Sequence, residues 1–151
     1  METHWAAGYG GLIMSHAVQY EWQGKTITEY FHYRYAKLPV LQRDGQTRLY
    51  PWGRHQQELG HLPLGGWATQ EQIYRGAWDK FTPIPVKLPI SAFMEKDFEE
   101  RPHWFTVVSG QFIQGLAARH EAERRIYLVT LIPERPDTPF ARWPNILLEA
   151  P

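Results

Sequence analysis

Glu95 is the first ionisable side chain after the apolar segment Pro89 to Met94, in the stretch PISAFMEKDFEERPHW. A carboxylate in this position is typical either of a solvated turn or of a strand end that presents an acid or base to a ligand. His103 follows in the next apolar stretch, and a hairpin between the two would bring an imidazole close to Glu95. The acids after Glu95 lack the glycine-spaced pattern of a calcium loop, which favours a charged hairpin tip.

Three other side chains have metal-ligating chemistry, namely His55, Glu58 and His61. The separation of the two histidines fits neither one face of a helix nor a known zinc signature. The chain has no cysteine, which excludes thiolate ligands, thiolate nucleophiles and disulfides. The sequence therefore predicts no metal and no cofactor.

Composition limits the possible partners. The chain has 151 residues, enough for a single domain over residues 1–151, and its 16 basic and 16 acidic residues cancel. A net charge of zero gives no long-range attraction to polyanions, so any nucleic-acid binding must come from a local patch. No signal peptide or membrane-spanning run is evident, which favours a cytoplasmic location and no membrane partner.

The elements that must position these side chains are mostly strands. Two hairpin turns are predicted, at Gln23-Gly24 and at Asp44-Gly45, each between apolar stretches. One helix is predicted near residues 70 to 80, where Thr69 and Gln72 have capping-box spacing. The second half reads as a meander with a turn at Ser109-Gly110, and NILL is predicted to be either a short closing strand or an ordered extension. Residues 1–16, rich in glycine, are expected to be weakly structured.

Over residues 34 to 148, the order of several short sequence motifs resembles that of the SOS-response-associated peptidase (SRAP) family. The segment from Pro89 to Glu95 is similar to the family motif PAxGFYE, and FIQGL, from Phe112, is similar to FAxAGL. The segment RWPNILL, from Arg142, is similar to RMPVIL. The resemblance implies an α+β, mainly β fold with a curved antiparallel sheet or barrel and one or two short helices.

The family's chemistry, as the resemblance implies it, is the covalent capture of abasic sites in single-stranded DNA by an N-terminal cysteine. Glu95 falls on the family's glutamate, but position 2 is Glu2, so a thiazolidine cannot form. Trp67 and Phe140 stand where the family has an asparagine and a histidine. Groups of this kind act as a unit, so one surviving carboxylate does not preserve the activity. We expect Trp67 and Phe140 to fill a dry pocket beside Glu95 and near His103.

The segment that borders the DNA groove in the resembled family alternates aromatic and basic side chains. Those predicted to bind DNA are Trp52, Arg54, Trp67 and Arg75. Indole faces stack on bases and arginines neutralise phosphates. For Trp52 and Trp67, a position in the core fits equally well.

The sequence thus predicts a non-catalytic, SRAP-like, single-stranded-DNA-binding or accessory protein of phage or mobile-element type. One alternative is an active SRAP-type enzyme that crosslinks abasic DNA through the α-amine of Met1 together with Glu95. A second alternative is an interaction module whose exposed aromatics meet a protein partner or another copy of the chain.

Overall fold

The computed structural model describes residues 17–133, 140 and 142–148. Their strands are β1 (Ala17–Trp22), β2 (Lys25–Tyr30), β3 (Lys37–Leu41), β4 (Thr47–Pro51), β5 (Trp67–Thr69), β6 (Ile84–Leu88), β7 (Ala92–Lys96), β8 (Pro102–Thr106), β9 (Gln111–His120), β10 (Glu123–Leu131), β11 (Trp143–Pro144) and β12 (Ile146–Leu148). The helical segments are the α-helix α1 (Gln70–Tyr74) and a 3₁₀ helix (Asp79–Phe81). The predicted weakly structured segment, residues 1–16, lies outside the described residues.

The strands form three sheets. One has the order β2-β1-β7-β8 and is antiparallel, and β3 and β4 form a separate antiparallel hairpin. In the third sheet β9 pairs with β10, β6 and β12, while β5 and β11 pair with β10. Only the short β5 strand is parallel to its neighbour among these ladders. The prediction of a mainly β, α+β fold is confirmed; the described strands do not close into a barrel.

The C-terminal strands enter the third sheet at a place where two of its strands separate. β9 and β10 are paired from Glu123 and His120 as far as Leu128 and Gly115. Beyond that point Asn145 lies between them: its N–H donates to the carbonyl of Val129 at 2.9 Å, and its carbonyl accepts from Gln114 N at 2.8 Å. On either side of Asn145, β11 pairs with β10 and β12 pairs with β9. The predicted closing strand is thus confirmed.

Both predicted early hairpins are present, and their turns show why. Gln23 and Gly24 have φ angles of 52° and 80°, the pair of positive values that a tight two-residue hairpin needs. In the second turn, Gly45 has φ 83° and the side chain of Asp44 accepts a hydrogen bond from Gln46 N at 2.9 Å. Local turn chemistry therefore fixes the pairing register of β1 with β2 and of β3 with β4.

The predicted helix starts correctly but is shorter than expected. Thr69 and Gln72 form the predicted capping box, yet α1 ends at Tyr74. Gly76, with φ 81°, takes the left-handed conformation just past the helix end, which stops the helix before a 3₁₀ helix begins at Asp79.

The predicted meander of the second half is wrong. The stretch VKLPISAF divides at Pro89 into β6 and β7, which belong to different sheets. Likewise the turn at Ser109-Gly110 joins β8 and β9, which do not pair with each other. Turn residues indicate a change of direction, but they do not determine which strand becomes the neighbour.

Two apolar cores lie on either face of the third sheet. The larger includes residues from all three sheets, among them Val18, Leu38, Phe93, Ile113 and Leu128. The smaller one contains Trp78, Tyr127 and Val129, against which Ile73 of α1 and Phe81 of the 3₁₀ helix pack.

Trp52 occupies the middle of the larger core and has 0% exposure. Its indole N–H donates to the carbonyl of Gly66 at 3.0 Å, and its ring packs edge-on against Phe31. A Cβ on Gly66 would lie 2.7 Å from both the Trp52 Nε1 and a carbon of the Phe31 ring. Only glycine fits at position 66 without a shift of these two rings.

We expect Gly66→Ala to lower the free energy of unfolding by about 1–3 kcal/mol, the usual cost of overfilling a packed site. Urea denaturation of the wild type and the variant measures the difference. The double variant Gly66→Ala/Phe31→Leu is the control, because a smaller side chain at 31 should make the added methyl less costly. A Gly66→Ala variant as stable as the wild type would contradict this packing.

Candidate functional site

Glu95 lies next to last in β7, directly opposite His103 of β8, so the two residues that the sequence singled out are cross-strand neighbours. Glu95 is only 1% exposed, and Phe93, two residues earlier, is equally buried. A substrate as large as a DNA strand cannot reach a carboxylate at this depth in the conformation described here. Met1, the partner of Glu95 in the active-enzyme alternative, lies outside the described residues.

The His103 imidazole is engaged by a different carboxylate. Its Nε2 lies 2.9 Å from Oδ2 of Asp97. Asp97 is almost fully buried and also accepts hydrogen bonds from the Arg101 side chain at 3.1 Å and from the backbone N–H groups of Glu99 and Arg101, both at 2.9 Å. These bonds, with that from His103 the largest contribution, hold the pKa of Asp97 well below its usual range. The predicted charged hairpin tip is therefore organised around Asp97.

The predicted pocket is only partly assembled. Phe140 packs edge-on against His103, with ring centroids 5.5 Å apart, and also contacts Phe105 and Trp143. Trp67 belongs to a different aromatic group, with Phe31 at 4.8 Å and Trp52 at 6.2 Å. Within the described part of the chain, no ring contact joins Trp67 to Phe140.

Two of the predicted DNA-binding residues are used by the fold. Trp52 is fully buried, so neither face of its indole is open to a base, and its assignment to a DNA-binding surface is corrected. Arg54 donates from Nε to the carbonyl of Glu58 at 3.1 Å and from Nη1 to that of Leu62 at 3.0 Å. Its guanidinium thus holds the following loop together, and its assignment to a DNA-binding surface stays a prediction.

The side chains of His55 and Glu58 are used by the same loop. His55 Nδ1 lies 3.1 Å from Glu58 Oε1, and its Nε2 contacts the carbonyl of Phe31. Glu58 also accepts from Arg125 Nη1 at 3.2 Å. With both ring nitrogens occupied, His55 is not available as a ligand. His61 does not join this group but lies beside His120 and Glu123.

Arg75, also predicted to bind DNA, lies on the surface, although Glu71 is 3.8 Å from its guanidinium. It borders an open groove of about 380 Å³ beside α1. The groove is lined by Thr69, Gln70, Glu71, Tyr74, Arg75, Thr130, Leu131, Ile132 and Arg142. Tyr74 and Ile132 are strongly exposed here, which gives the groove an apolar as well as a basic character.

The structure shows an aromatic–basic surface that the sequence analysis missed, the loop of residues 31–36 between β2 and β3. Tyr33 and Tyr35 are 57% and 68% exposed. The guanidinium of Arg34 lies 5.1 Å from the centre of the Tyr35 ring and donates to its hydroxyl at 3.1 Å. The available signal was the alternation of aromatic and basic residues in FHYRYAK, which includes the start of the stretch that resembles the SRAP family.

This loop, hereafter the tyrosine loop, is held in a defined conformation. Tyr33 N donates to the carbonyl of Tyr30 at 3.1 Å, and Ala36 N donates to that of Tyr33 at 3.3 Å. At the end of the loop, Lys37 N donates to Glu29 at 3.1 Å. Tyr35 has φ 66°, a left-handed conformation that is uncommon for a bulky residue.

Comparison with known protein families, with curated proteins and with solved structures finds no match to this chain. The fold and the site define a β-rich α+β domain with a buried carboxylate and an exposed aromatic loop. The likeness to the SRAP family stays a prediction. None of the described helices is long and apolar enough to cross a membrane.

The environment of Asp97 predicts how stability depends on pH. A carboxylate whose pKa is depressed by folding stabilises the protein above its unfolded pKa of about 3.9, and that contribution is lost as the pH falls toward its folded pKa. We therefore expect Asp97→Asn to lower the urea midpoint at pH 7 and to differ less from the wild type at pH 2, which is well below the unfolded pKa and closer to the folded one. Asp44→Asn, in an exposed turn, is the control. An equal effect of Asp97→Asn at both pH values would argue against this role.

Proposed function

We propose that this chain is a non-catalytic binder of single-stranded DNA and that the tyrosine loop is its contact surface. The observation that carries the proposal is the exposure of two tyrosines on either side of an arginine. Proteins that bind single strands without sequence preference combine aromatic platforms for bases with cations for phosphates. The tyrosine loop offers both within three consecutive residues.

The conformation of Tyr35 supports a role beyond folding. A left-handed conformation costs a non-glycine residue roughly 1–2 kcal/mol, yet the side chain at this position is mostly in solvent. Burial therefore contributes little to offset that cost. Strain of this kind is common at ligand-contact positions. The hydrogen bond from Arg34 fixes the orientation of the ring, which lowers the entropy lost when a base stacks on it.

The electrostatics favour weak, salt-dependent binding. Arg34 and Lys37 supply positive charge at the loop, while the net charge of the whole chain is zero. Burial, followed by the nearby charges of Lys96 and His55, lowers the pKa of His32, so this imidazole adds little charge at neutral pH. Each phosphate contact on a single strand contributes a log–log salt slope of about −0.7.

The burial of Glu95 supports the non-catalytic half of the proposal. The chain has no thiol, and the carboxylate on the family's glutamate position is 1% exposed. An imine formed by an amine alone hydrolyses in water, because no thiol closes a ring on it. Stacking and charge pairing at the tyrosine loop need none of these groups.

A protein-interaction module is the alternative that one observation favours. The groove beside α1 has exposed Tyr74 and Ile132 on its rim, and exposed aromatic and aliphatic side chains are typical of protein contacts. Light scattering across a concentration series tests self-association. A dimer that Tyr74→Ala dissociates, in a chain that binds no DNA, would favour this alternative.

The first test of the proposal is Tyr35→Gly. Glycine adopts the left-handed conformation without cost, so we expect the free energy of unfolding to stay within about 1 kcal/mol of the wild type. The affinity for a labelled single-stranded oligonucleotide at low salt should fall roughly 5- to 100-fold, as expected from the loss of one base stack. Fluorescence anisotropy and urea denaturation measure the two quantities.

Two controls accompany this variant. Gln23→Gly relieves a left-handed residue of φ 52° in the turn at the other end of β2 and should leave binding unchanged. Tyr35→Phe keeps the ring and should retain most of the affinity. Binding that is indifferent to Tyr35→Gly, or absent from the wild type at low salt, would overturn the tyrosine loop as the DNA contact.

The second test concerns covalent chemistry. We expect no adduct that survives denaturing gels when the chain is incubated with single-stranded DNA that contains an abasic site, and no adduct at Met1 after borohydride reduction. An oligonucleotide without the lesion is the control for non-specific retention. A borohydride-trapped adduct on the abasic strand alone, located at Met1 by peptide mapping, would instead support the enzyme that acts through the Met1 α-amine.

A further inference from the structure

His61, His120 and Glu123 lie together at the turn end of the β9–β10 hairpin. Their candidate ligand atoms are all within 4.8 Å of one another. The imidazole rings of His61 and His120 are stacked, with centroids 4.3 Å apart and an interplanar angle of 27°. Two imidazoles and one carboxylate from two separate segments thus meet at one partly exposed spot.

Backbone geometry, and not chance contact of long side chains, creates this cluster. His120 and Glu123 are directly opposite each other in the β9–β10 ladder, so their side chains lie on the same face of the hairpin. His61 is fixed to that hairpin because its backbone N–H donates to Glu123 Oε1 at 2.8 Å. A Cβ on Gly60 would overlap the Glu123 carboxylate, so the glycine before His61 makes room for it.

The local charge suits a cation. Glu123 Oε2 accepts from Arg125 Nε at 2.7 Å. Arg125 also pairs with Glu58 at 3.2 Å, so two carboxylates share one guanidinium. At neutral pH, two carboxylates around one guanidinium leave a net negative charge beside the two imidazoles.

We propose that His61, His120 and Glu123 form a binding site for a transition-metal ion of the zinc type. Two imidazole nitrogens and one carboxylate oxygen are the donors that such ions prefer, whereas calcium and magnesium prefer oxygen donors alone. Tetrahedral zinc with bonds of about 2.0–2.1 Å brings its ligand atoms about 3.4 Å apart. The candidate ligand atoms, within 4.8 Å of one another, must therefore move closer together when the ion binds, and the exposed His61 and the partly exposed His120 side chains are the ones that would rotate.

The metal would connect the loop before β5 to the β9–β10 turn and would leave its fourth position to water. The absence of metal predicted from the sequence rested on His61 paired with His55 and Glu58. The structure groups His61 instead with two residues that are remote in sequence.

Titration of the untagged full chain with Zn²⁺ tests the site, after treatment with a chelator. Isothermal titration calorimetry should show one equivalent bound, and Co²⁺ as a probe should give the absorption of a low-symmetry, four-coordinate ion. His120→Ala should weaken binding at least tenfold, since loss of an outer-shell partner alone costs 10- to 100-fold. His120 is the choice because its ring stacks on His61 and, among the residues that the structure describes, its side chain forms no hydrogen bond or ion pair.

A melting-temperature series gives a second readout. Zn²⁺ should raise the melting temperature of the wild type and of His32→Ala, the control for an exposed histidine elsewhere, but not that of His120→Ala. His61→Gln is the second variant, in case loss of the His120 ring alters the fold. The proposal is overturned if the wild type binds no Zn²⁺ at millimolar concentration, or if His120→Ala and His61→Gln both bind it as the wild type does.

Discussion

The carbonyl of Gly66 is the contact on which the arrangement of the larger core depends. It accepts hydrogen bonds from the backbone of Leu128 at 2.9 Å and from the indole of Trp52 at 3.0 Å. One buried oxygen thereby fixes the start of β5 against β10 and the orientation of the largest fully buried side chain. A buried carbonyl without partners costs about 1–3 kcal/mol, so both bonds matter to the fold. Trp52 in turn packs against Phe31, the first residue of the tyrosine loop.

A second set of constraints is ionic and acts on the loop between Trp52 and β5. Arg125, nearly buried on β10, donates to the carbonyl of Gly53, to Glu58 and to Glu123. Arg54 holds the same loop from within. The nearly buried guanidinium of Arg125 is tolerated because its hydrogen bonds are satisfied. Removal of one partner of such a buried ion pair would leave the charge of the other partner uncompensated. Several of the charged residues that appeared functional in the sequence are therefore structural.

Features that depend on neighbouring residues could be predicted from the sequence. The turns at Gly24 and Gly45 and the capping box at Thr69 each follow from the chemistry of a few consecutive residues. Sheet membership could not be predicted, because the choice of partner for β7 or β9 depends on residues far away in the chain. The same reason explains which residues of the candidate sites could be predicted. Glu95 and His103 could be paired across a predicted hairpin, but the burial of Trp52 and the meeting of His61 with His120 required the tertiary structure.

The position of Asn145 between β9 and β10 has a consequence for the order of folding. The third sheet is complete only when the segment of residues 143–148 lies between two strands that are already paired at their other end. During synthesis, therefore, β9 and β10 can form their hairpin early, while the facing edges of residues 129–131 and 111–114 lack partners until residues 143–148 have left the ribosome. Unpaired strand edges of this kind can pair with other chains. The late arrival of residues 143–148 thus leaves these strand edges open to misassembly until that segment is released.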